Sequence, residues 1–375
     1  MKILLTGGGS GGHFYPLIAI AEKLNTLAER QKILNLKLYY MSDTPYDKTM
    51  LFQNGITYVE VPAGKMRIYF SIKNIFDFFK TATGAFWGLV SMFFIYPDVV
   101  ISKGGYASFP AVLAARILRI PIIVHESDSS PGRLNAWASK FADRIAISWP
   151  EAGEYLPKDK VALTGQPIRK EILEGATDGA HDFFKLDPNI PTILILGGSQ
   201  GAEKINDAIV DVLMELLPKY QIIHQTGPAH INDVTGRAKL VMETSQYIVR
   251  YRPIAFLNNL TTRMAVGASS LVISRAGSTI FEIASWGLPS IIIPITKSNG
   301  DHQRKNAFNY ARAGACEVIE ESNLTPHVLT AIIDKIMSSK EKQEQMSKNA
   351  KAFTNPNAAE TIAQAALDIA FSHEK

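Results

Sequence analysis

Lys2-Ile3-Leu4-Leu5-Thr6-Gly7-Gly8-Gly9-Ser10-Gly11-Gly12-His13 opens the chain, and its reading decides the fold. Lys2 to Thr6 is a short apolar strand, the glycines form a turn, and a helix runs on to about Leu27. Leu17, Ile20, Ala21 and Leu24 give that helix a buried stripe at 3.6-residue spacing. The same design returns 190 residues after Lys2: Thr192 to Leu196 reads as a strand, Gly197-Gly198-Ser199-Gln200-Gly201-Ala202 as a second turn, and about Lys204 to Leu217 as an amphipathic helix. Further apolar strands are expected at Leu36–Met41, Tyr58–Val61, Asp98–Ile101 and Ile122–Val124, with a helix from Pro110 to Leu118 between the last two. In the second half they are expected at Gln221–His224, Leu271–Ile273 and Ser290–Ile293. Strands alternating with helices predict parallel sheets covered on both faces. The expected architecture is therefore α/β, two doubly wound Rossmann-like domains facing across a cleft. Gly165-Gln166-Pro167 marks the crossover, giving domains at 1–163 and 164–355, and the alanine-rich helix 356–375 is expected to pack back on the first.

Composition limits the classes of function. The 375 residues exceed the roughly 250–300 that one core usually serves. With 46% hydrophobic and 20% charged residues the chain is an ordinary globular protein. Its net charge is only +4 with no polybasic run, so no nucleic-acid partner is expected. Cys316 is the single cysteine, which rules out an internal disulfide, suits a reducing compartment and reads as a small buried residue. The first strand leads straight into the glycine turn and leaves no room for a signal peptide, so an intracellular protein is expected.

Lys65 to Pro97 breaks the pattern. It is crowded with aromatics, among them Tyr69, Phe76, Phe79, Phe86, Trp87, Phe93 and Phe94, and carries Lys65, Arg67, Lys73 and Lys80. No charge falls between Thr81 and Pro97. Three readings stand: a membrane span, short and interrupted by Gly84 and Gly88; a plain buried helix; or a patch resting in the lipid interface with lysines on anionic headgroups.

The chemistry sits at the glycine turns. Gly7-x-Gly9-x-x-Gly12 lets the backbone approach phosphate oxygens at a helix N-terminus, where unpaired N–H groups carry partial positive charge. A dinucleotide site wants an acid about 20 residues on, and Glu29 and Asp43 are poorly placed for it; a Walker lysine is absent as well. His13 reads either as a general base aimed at a ligand or as a cap on its helix. Thr279-x-x-Glu282 reads either as a capping box or, with Arg275 on phosphate, as a ribose-binding carboxylate. Asp301 to Ala307, with Gln303 and Asn306, lies just past a strand end, where ligands bind in open α/β sheets. No Asp-x-Asp clamp, zinc-ligand spacing or nucleophile elbow occurs, so diphosphate chemistry without metal or cofactor is the reading that remains.

Seven segments in order resemble one family: Gly7–His13, Lys103-Gly104-Gly105-Tyr106, His125-Glu126, Gly165-Gln166-Pro167-Ile168-Arg169, Gly197–Ala202 with Asn206, Arg275–Glu282 and Asp301–Ala307. They are similar to the MurG family of inverting peptidoglycan N-acetylglucosaminyltransferases, of GT-B fold, and nearly the whole chain is covered. The resemblance implies a C-terminal domain binding UDP-GlcNAc through Arg169, Ser199, Gln200, Arg275, Glu282, Gln303 and Asn306. It implies an N-terminal domain holding muramoyl pentapeptide on undecaprenyl diphosphate through Gly8, Gly9, Ser10, Gly11, Gly12, Tyr106 and Asp128. His13, or alternatively Glu126, would take the proton of the acceptor 4-hydroxyl. Peripheral attachment to the cytoplasmic side of the cell membrane, on an anionic surface through 65–97, is implied as well. Two departures stand out. The family's His-Glu-Gln-Asn is here His125-Glu126-Ser127-Asp128, which loses an amide donor, and the loop from Arg275 to Glu282 is one residue shorter. The alternatives are a relative with another lipid or small acceptor, a non-catalytic nucleotide-sugar-binding protein, and an NAD-dependent epimerase or dehydrogenase.

Overall fold

A computed structural model describes residues 1–65, 73–198, 201–296 and 298–373. The chain forms two compact units: Met1–Arg169 with Asn355–Lys375 (unit 1), and Lys170–Thr354 (unit 2). The architecture is α/β, with a parallel, doubly wound, Rossmann-like sheet in each unit.

Unit 1 contains β1 (Lys2–Thr6), β2 (Lys37–Ser42), β3 (Ile56–Glu60), β4 (Val99–Ser102), β5 (Ile122–Glu126), β6 (Arg144–Ile147) and β7 (Val161–Leu163) in the order 3-2-1-4-5-6-7. Unit 2 contains β8 (Thr192–Leu196), β9 (Gln221–Gln225), β10 (Tyr251–Ile254), β11 (Leu271–Ser274), β12 (Ser290–Ile292) and β13 (Cys316–Val318) in the order 10-9-8-11-12-13. Strand order reverses beside β1 and β4 in one sheet and beside β8 and β11 in the other, and such reversals open the crevice in which α/β sheets bind ligands.

The central strands β4, β5, β8 and β11 are buried along their length, which is why they read as unbroken apolar runs. In unit 1 the helix Gly11–Arg30 buries Phe14, Leu17, Ile20 and Leu24 on one face of the sheet. The helix Ala358–His373 joins that core through Ile362, Ala363, Ala366 and Leu367, and Glu360 meets Lys23 at 3.0 Å. Four strands had no expected counterpart: β6, an interior strand of only four residues, and three strands at sheet edges. β7 and β10 are edge strands, the first largely exposed and the second containing Pro253, and the edge strand β13 is only three residues long. Cys316, on β13, is buried.

The helix Lys73–Ile95 is not a plain buried helix. Phe76–Ile95 is long and apolar enough to cross a membrane, yet only 17% of its apolar window is buried. Phe76, Phe79, Phe86, Trp87, Phe93 and Phe94 all face outward. The opposite stripe is docked on unit 1: a Cβ at Gly84 would stand 1.7 Å from the carbonyl oxygen of Pro62, and Met92 lies in the core. Arg67 and Tyr69 of this segment lie outside the described residues.

Candidate functional site

Two sites form at the two reversals of strand order. In unit 1 the turn after β1 ends in Ser10, the N-cap of Gly11–Arg30. Its side chain caps no backbone N–H but meets His13 Nδ1 at 2.9 Å. His13 thus ties the first turn to its N-cap residue, the local role that competed with catalysis. Its other ring nitrogen lies by the loop after β4, where a Cβ at Gly105 would stand 3.5 Å from Nε2. Desolvation first, then the Lys103 ammonium, lower the imidazole to about 4 against the pull of Asp128, so His13 is neutral at pH 7. That protonation state is the one a proton acceptor needs.

Lys103 follows β4 directly, donates its backbone N–H to Thr6 at 2.8 Å and is only 1% exposed. The Gly104-Gly105 turn then leads to Tyr106, whose hydroxyl donates to Asp43 Oδ2 at 2.9 Å. Lys65 Nζ stands 5.6 Å from the Tyr106 ring centroid. Glu126, at the end of β5, is buried. Its Oε1 accepts the Asp128 N–H, and its Oε2 accepts the Gly132 N–H and Asn135 Nδ2, each at 2.9 Å. Burial and Asp128 raise the Glu126 carboxyl, opposed by Lys103 and these donors. With both oxygens engaged in its own loop, Glu126 is built as a strut. Arg169, at the end of unit 1, lies 3.9 Å above the Tyr15 ring.

In unit 2 the turn after β8 is pinned from below. Gly201 has φ of 83°, and a Cβ there would sit 2.1 Å from the carbonyl oxygen of Thr226, so only glycine closes this turn. Gln225 Nε2 donates to the Gly198 carbonyl at 2.9 Å and Asn206 Nδ2 to that of Thr226 at 3.0 Å. The helix Glu203–Leu216 begins at Ala202 with no side-chain cap, so its N-terminal amides are open to an anion. Ser199 and Gln200 lie outside the described residues.

Arg275 follows β11, placed at the reversal by its strand. One guanidinium nitrogen donates to the Ile293 carbonyl at 3.1 Å and another meets Glu321 Oε1 at 2.6 Å. Glu321 Oε2 also accepts the Thr296 hydroxyl at 2.7 Å and faces Lys204 Nζ at 3.4 Å. Burial pushes this carboxyl up, but the bonds from Thr296 and Arg275 outweigh it and hold it at about 2. Asn306 is buried and donates to the Ala276 carbonyl at 3.2 Å, while Gln303 Oε1 accepts the Ile295 N–H at 3.1 Å. Glu282 lies in the first turn of Thr279–Trp286, whose N-cap is Ser278. With Ser278 at the N-cap, Thr279 and Glu282 do not stand at the N-cap and N3 positions of a capping box.

Unit 1 therefore brings together Gly8–Gly12, His13, Tyr106, Glu126 and Asp128, and unit 2 brings Arg275, Gln303 and Asn306 to the ends of β11 and β12, with Glu282 on the helix Thr279–Trp286. Lys103, Asp43, Asn135, Lys204 and Glu321 were not singled out as site residues. Lys103 stood within a quoted motif, and the only hint was a lysine between an apolar strand and paired glycines. Glu321 had no local signal.

The comparisons cover both units. The Glycosyltransferase family 28 N-terminal domain matches residues 3–147 and the Glycosyltransferase family 28 C-terminal domain residues 192–362. A Bacillus cereus protein is 36% identical over 97% of this chain and 98% of its own. A Halalkalibacterium halodurans protein is 34% identical over 99% and 100%. Both are named as UDP-N-acetylglucosamine–N-acetylmuramyl-(pentapeptide) pyrophosphoryl-undecaprenol N-acetylglucosamine transferases. Among solved structures, Acinetobacter baumannii MurG superposes with a TM-score of 0.72 at 23% identity, covering 98% of this chain and 99% of that one. The UDP-GlcNAc 2-epimerase of Neisseria meningitidis, solved with UDP-GlcNAc, reaches 0.68 at 16% identity over 98% and 100%. At these identities the structural likeness shows the fold.

Proposed function

The chain belongs to glycosyltransferase family 28, and from that premise we propose that its two units divide the work, unit 2 taking the nucleotide-sugar donor and unit 1 the lipid-linked acceptor. The reaction is transfer of N-acetylglucosamine from UDP-GlcNAc to muramoyl-pentapeptide on undecaprenyl diphosphate, a step of peptidoglycan synthesis. The observation that carries the division is structural. Each sheet reverses its order beside an uncapped glycine turn, and each turn is backed by a buried or half-buried cation, Lys103 in unit 1 and Arg275 in unit 2. Two substrates that both carry diphosphates call for two such sites.

In unit 2 the departing UDP gathers charge on its diphosphate. The open amides of Glu203–Leu216 and Arg275 stabilise it, and one well-placed donor of this kind is worth about 3–4 kcal/mol. Glu282 accepts the ribose hydroxyls, and Gln303 and Asn306 hold the strand-end loops on which the sugar rests. In unit 1 the Gly8–Gly12 turn and Tyr106 seat the acceptor diphosphate, and neutral His13 removes the 4-hydroxyl proton through Nε2. The arriving anion raises the His13 pKa from its low resting value towards the range useful for a base. Glu126 positions the loop that carries Asp128.

Membrane attachment follows from the helix Lys73–Ile95. Its outward aromatics suit the lipid interface, with Lys65 and Lys80 exposed beside them for anionic headgroups. Its inner stripe, docked at Gly84 and Met92, would have to leave the core for the helix to span, so the segment lies on the membrane. Attachment on the cytoplasmic side is the orientation that meets a nucleotide-sugar donor. The test is transfer from radiolabelled UDP-GlcNAc to a short-chain lipid I analogue with EDTA present. Label in the lipid supports donor, acceptor and a metal-free step together; binding of UDP-GlcNAc without label in the lipid refutes the acceptor assignment.

A further inference from the structure

Among the described residues, Lys103 is a buried ammonium that the fold leaves without a hydrogen-bond acceptor. The side chain is 1% exposed, and its Nζ is buried with no hydrogen-bond partner. Lysine is almost never fully buried unless paired, because the charge is removed from water and nothing replaces the lost solvation. Its surroundings are all at the carboxyl ends of the central strands. A Cβ at Gly7 would stand 3.2 Å from Lys103 Cβ, so the lysine lies against the glycine turn. The ammonium is near enough to His13, His125, Glu126 and Asp128 to act on or be acted on by each of them.

Of those neighbours, the two histidines are held neutral by burial and by the lysine itself. Glu126 spends both oxygens on backbone and Asn135 donors. Both carboxylates act on Lys103 through space, while its Nζ has no hydrogen-bond partner. Desolvation lowers the ammonium to about 8, and the two carboxylates oppose that loss, so it is charged at neutral pH. Beside it, the Gly11–Arg30 helix starts with no side-chain cap. A buried ammonium without a hydrogen-bond acceptor, next to open helix amides, is a setting that suits a phosphate.

We propose that Lys103 is the countercharge for a phosphate group seated on the N-terminus of the Gly11–Arg30 helix, and that it selects diphosphate-bearing acceptors. The inference rests on the assignment of the acceptor to unit 1. Lys103 touches no reacting atom; it grips the part of the acceptor that stays unchanged. A sugar without a diphosphate would leave the ammonium unpaired and lose this contact.

The experiment compares full-length protein with Lys103→Met, of similar length and no charge, and Lys103→Arg. Farnesyl diphosphate, inorganic pyrophosphate and UDP are the probes, read by calorimetry and thermal shift. Binding of farnesyl diphosphate should weaken about 10- to 100-fold in Lys103→Met, as expected for a hydrogen bond to a charged group, and be largely retained in Lys103→Arg. UDP affinity should not change. Without ligand, Lys103→Met should melt close to the parent, since removal of a desolvated charge is offset by the lost attraction for the Glu126 and Asp128 carboxylates. Equal loss for pyrophosphate would place the recognition in the diphosphate itself; loss for farnesyl diphosphate alone would place it in the lipid-linked form. Unchanged binding of both, or a lower melting temperature together with weakened UDP binding, overturns the proposal and makes Lys103 a structural residue. If sugar transfer fails while diphosphate binding still depends on Lys103, the acceptor reading falls and this one stands. If transfer succeeds and Lys103→Met keeps the acceptor KM, only this one falls.

Discussion

Glu321→Gln tests whether the donor-site arginine is held by a buried charge. Glu321 and Arg275 side chains are 5% and 14% exposed, and they meet at 2.6 Å. The Thr296 hydroxyl and Lys204 complete the carboxylate's shell. Its pKa of about 2, against 4.5 for a free carboxyl, corresponds to about 3 kcal/mol of stability at neutral pH. That agrees with the cost of about 3–5 kcal/mol for removing one partner of a buried pair. The folded value is depressed, so the contribution is complete above pH 4.5 and is lost as pH falls through 2. Between those limits, at pH 3, less than half should survive, about 1.4 kcal/mol by the same linkage. Urea unfolding of parent and variant, followed by hydrogen exchange of amides in β8 and β11, measures the difference at pH 7 and pH 3. A gap near 3 kcal/mol that narrows by more than half is expected. A gap that is equal at the two pH values would refute the ionic account, and a gap below about 1 kcal/mol would make the pair no stronger than a surface salt bridge. UDP affinity should fall with the gap, because Arg275 loses the group that orients it.

Four further outcomes follow from the two sites. His13→Ala should lower kcat by about 10²–10⁴ with UDP-GlcNAc affinity unchanged; equal loss in both would make His13 a cap only. Parent stability should decline as pH drops from 6.5 through about 4, where the desolvated His13 must take up a proton, and this part of the acid loss should be smaller in His13→Ala. Glu126→Gln should destabilise unit 1 by about 1–3 kcal/mol, because an amide N–H₂ then faces N–H donors from Gly132 or Asn135; denaturant titration reads it. Replacing Phe86, Trp87 and Phe94 together by serine should weaken binding to anionic vesicles at least 10-fold while leaving the melting temperature within about 2 °C, since all three are exposed; sedimentation with vesicles decides it.

Much of the fold was legible because the central strands are buried on both faces and must be apolar throughout. Lys2–Thr6 and Thr192–Leu196 stand where their apolar runs put them. The helix Gly11–Arg30 was visible from Leu17, Ile20, Ala21 and Leu24. Three of the four edge strands and the short interior strand Arg144–Ile147 were not: Val161–Leu163 is partly solvated, and Tyr251–Ile254 tolerates Pro253 because an edge has unpaired positions. The aromatic stretch was legible as unusual, but a one-dimensional pattern does not distinguish a helix turned inward from one turned outward.

The site divides along the same line. Glycine turns, and the residues that follow strands, are local features, so Gly7–Gly12, His13, Gly197–Gly201 and Arg275 could be proposed from spacing alone. What a side chain meets across the sheet is not local. Glu321 lies 46 residues from Arg275, Asp43 lies 63 from Tyr106, and only the parallel crossovers bring each pair to one sheet end. The sequence by itself determined the α/β class, the repeated strand–turn–helix opening and the diphosphate chemistry, because each depends on residues adjacent along the chain. Tertiary structure alone decided that Lys103 is buried without a partner, that Glu126 is spent as a strut and that the aromatics of Lys73–Ile95 face out. Burial and charge pairing are properties of the surrounding volume, and a chain acquires that volume only when distant strands close it.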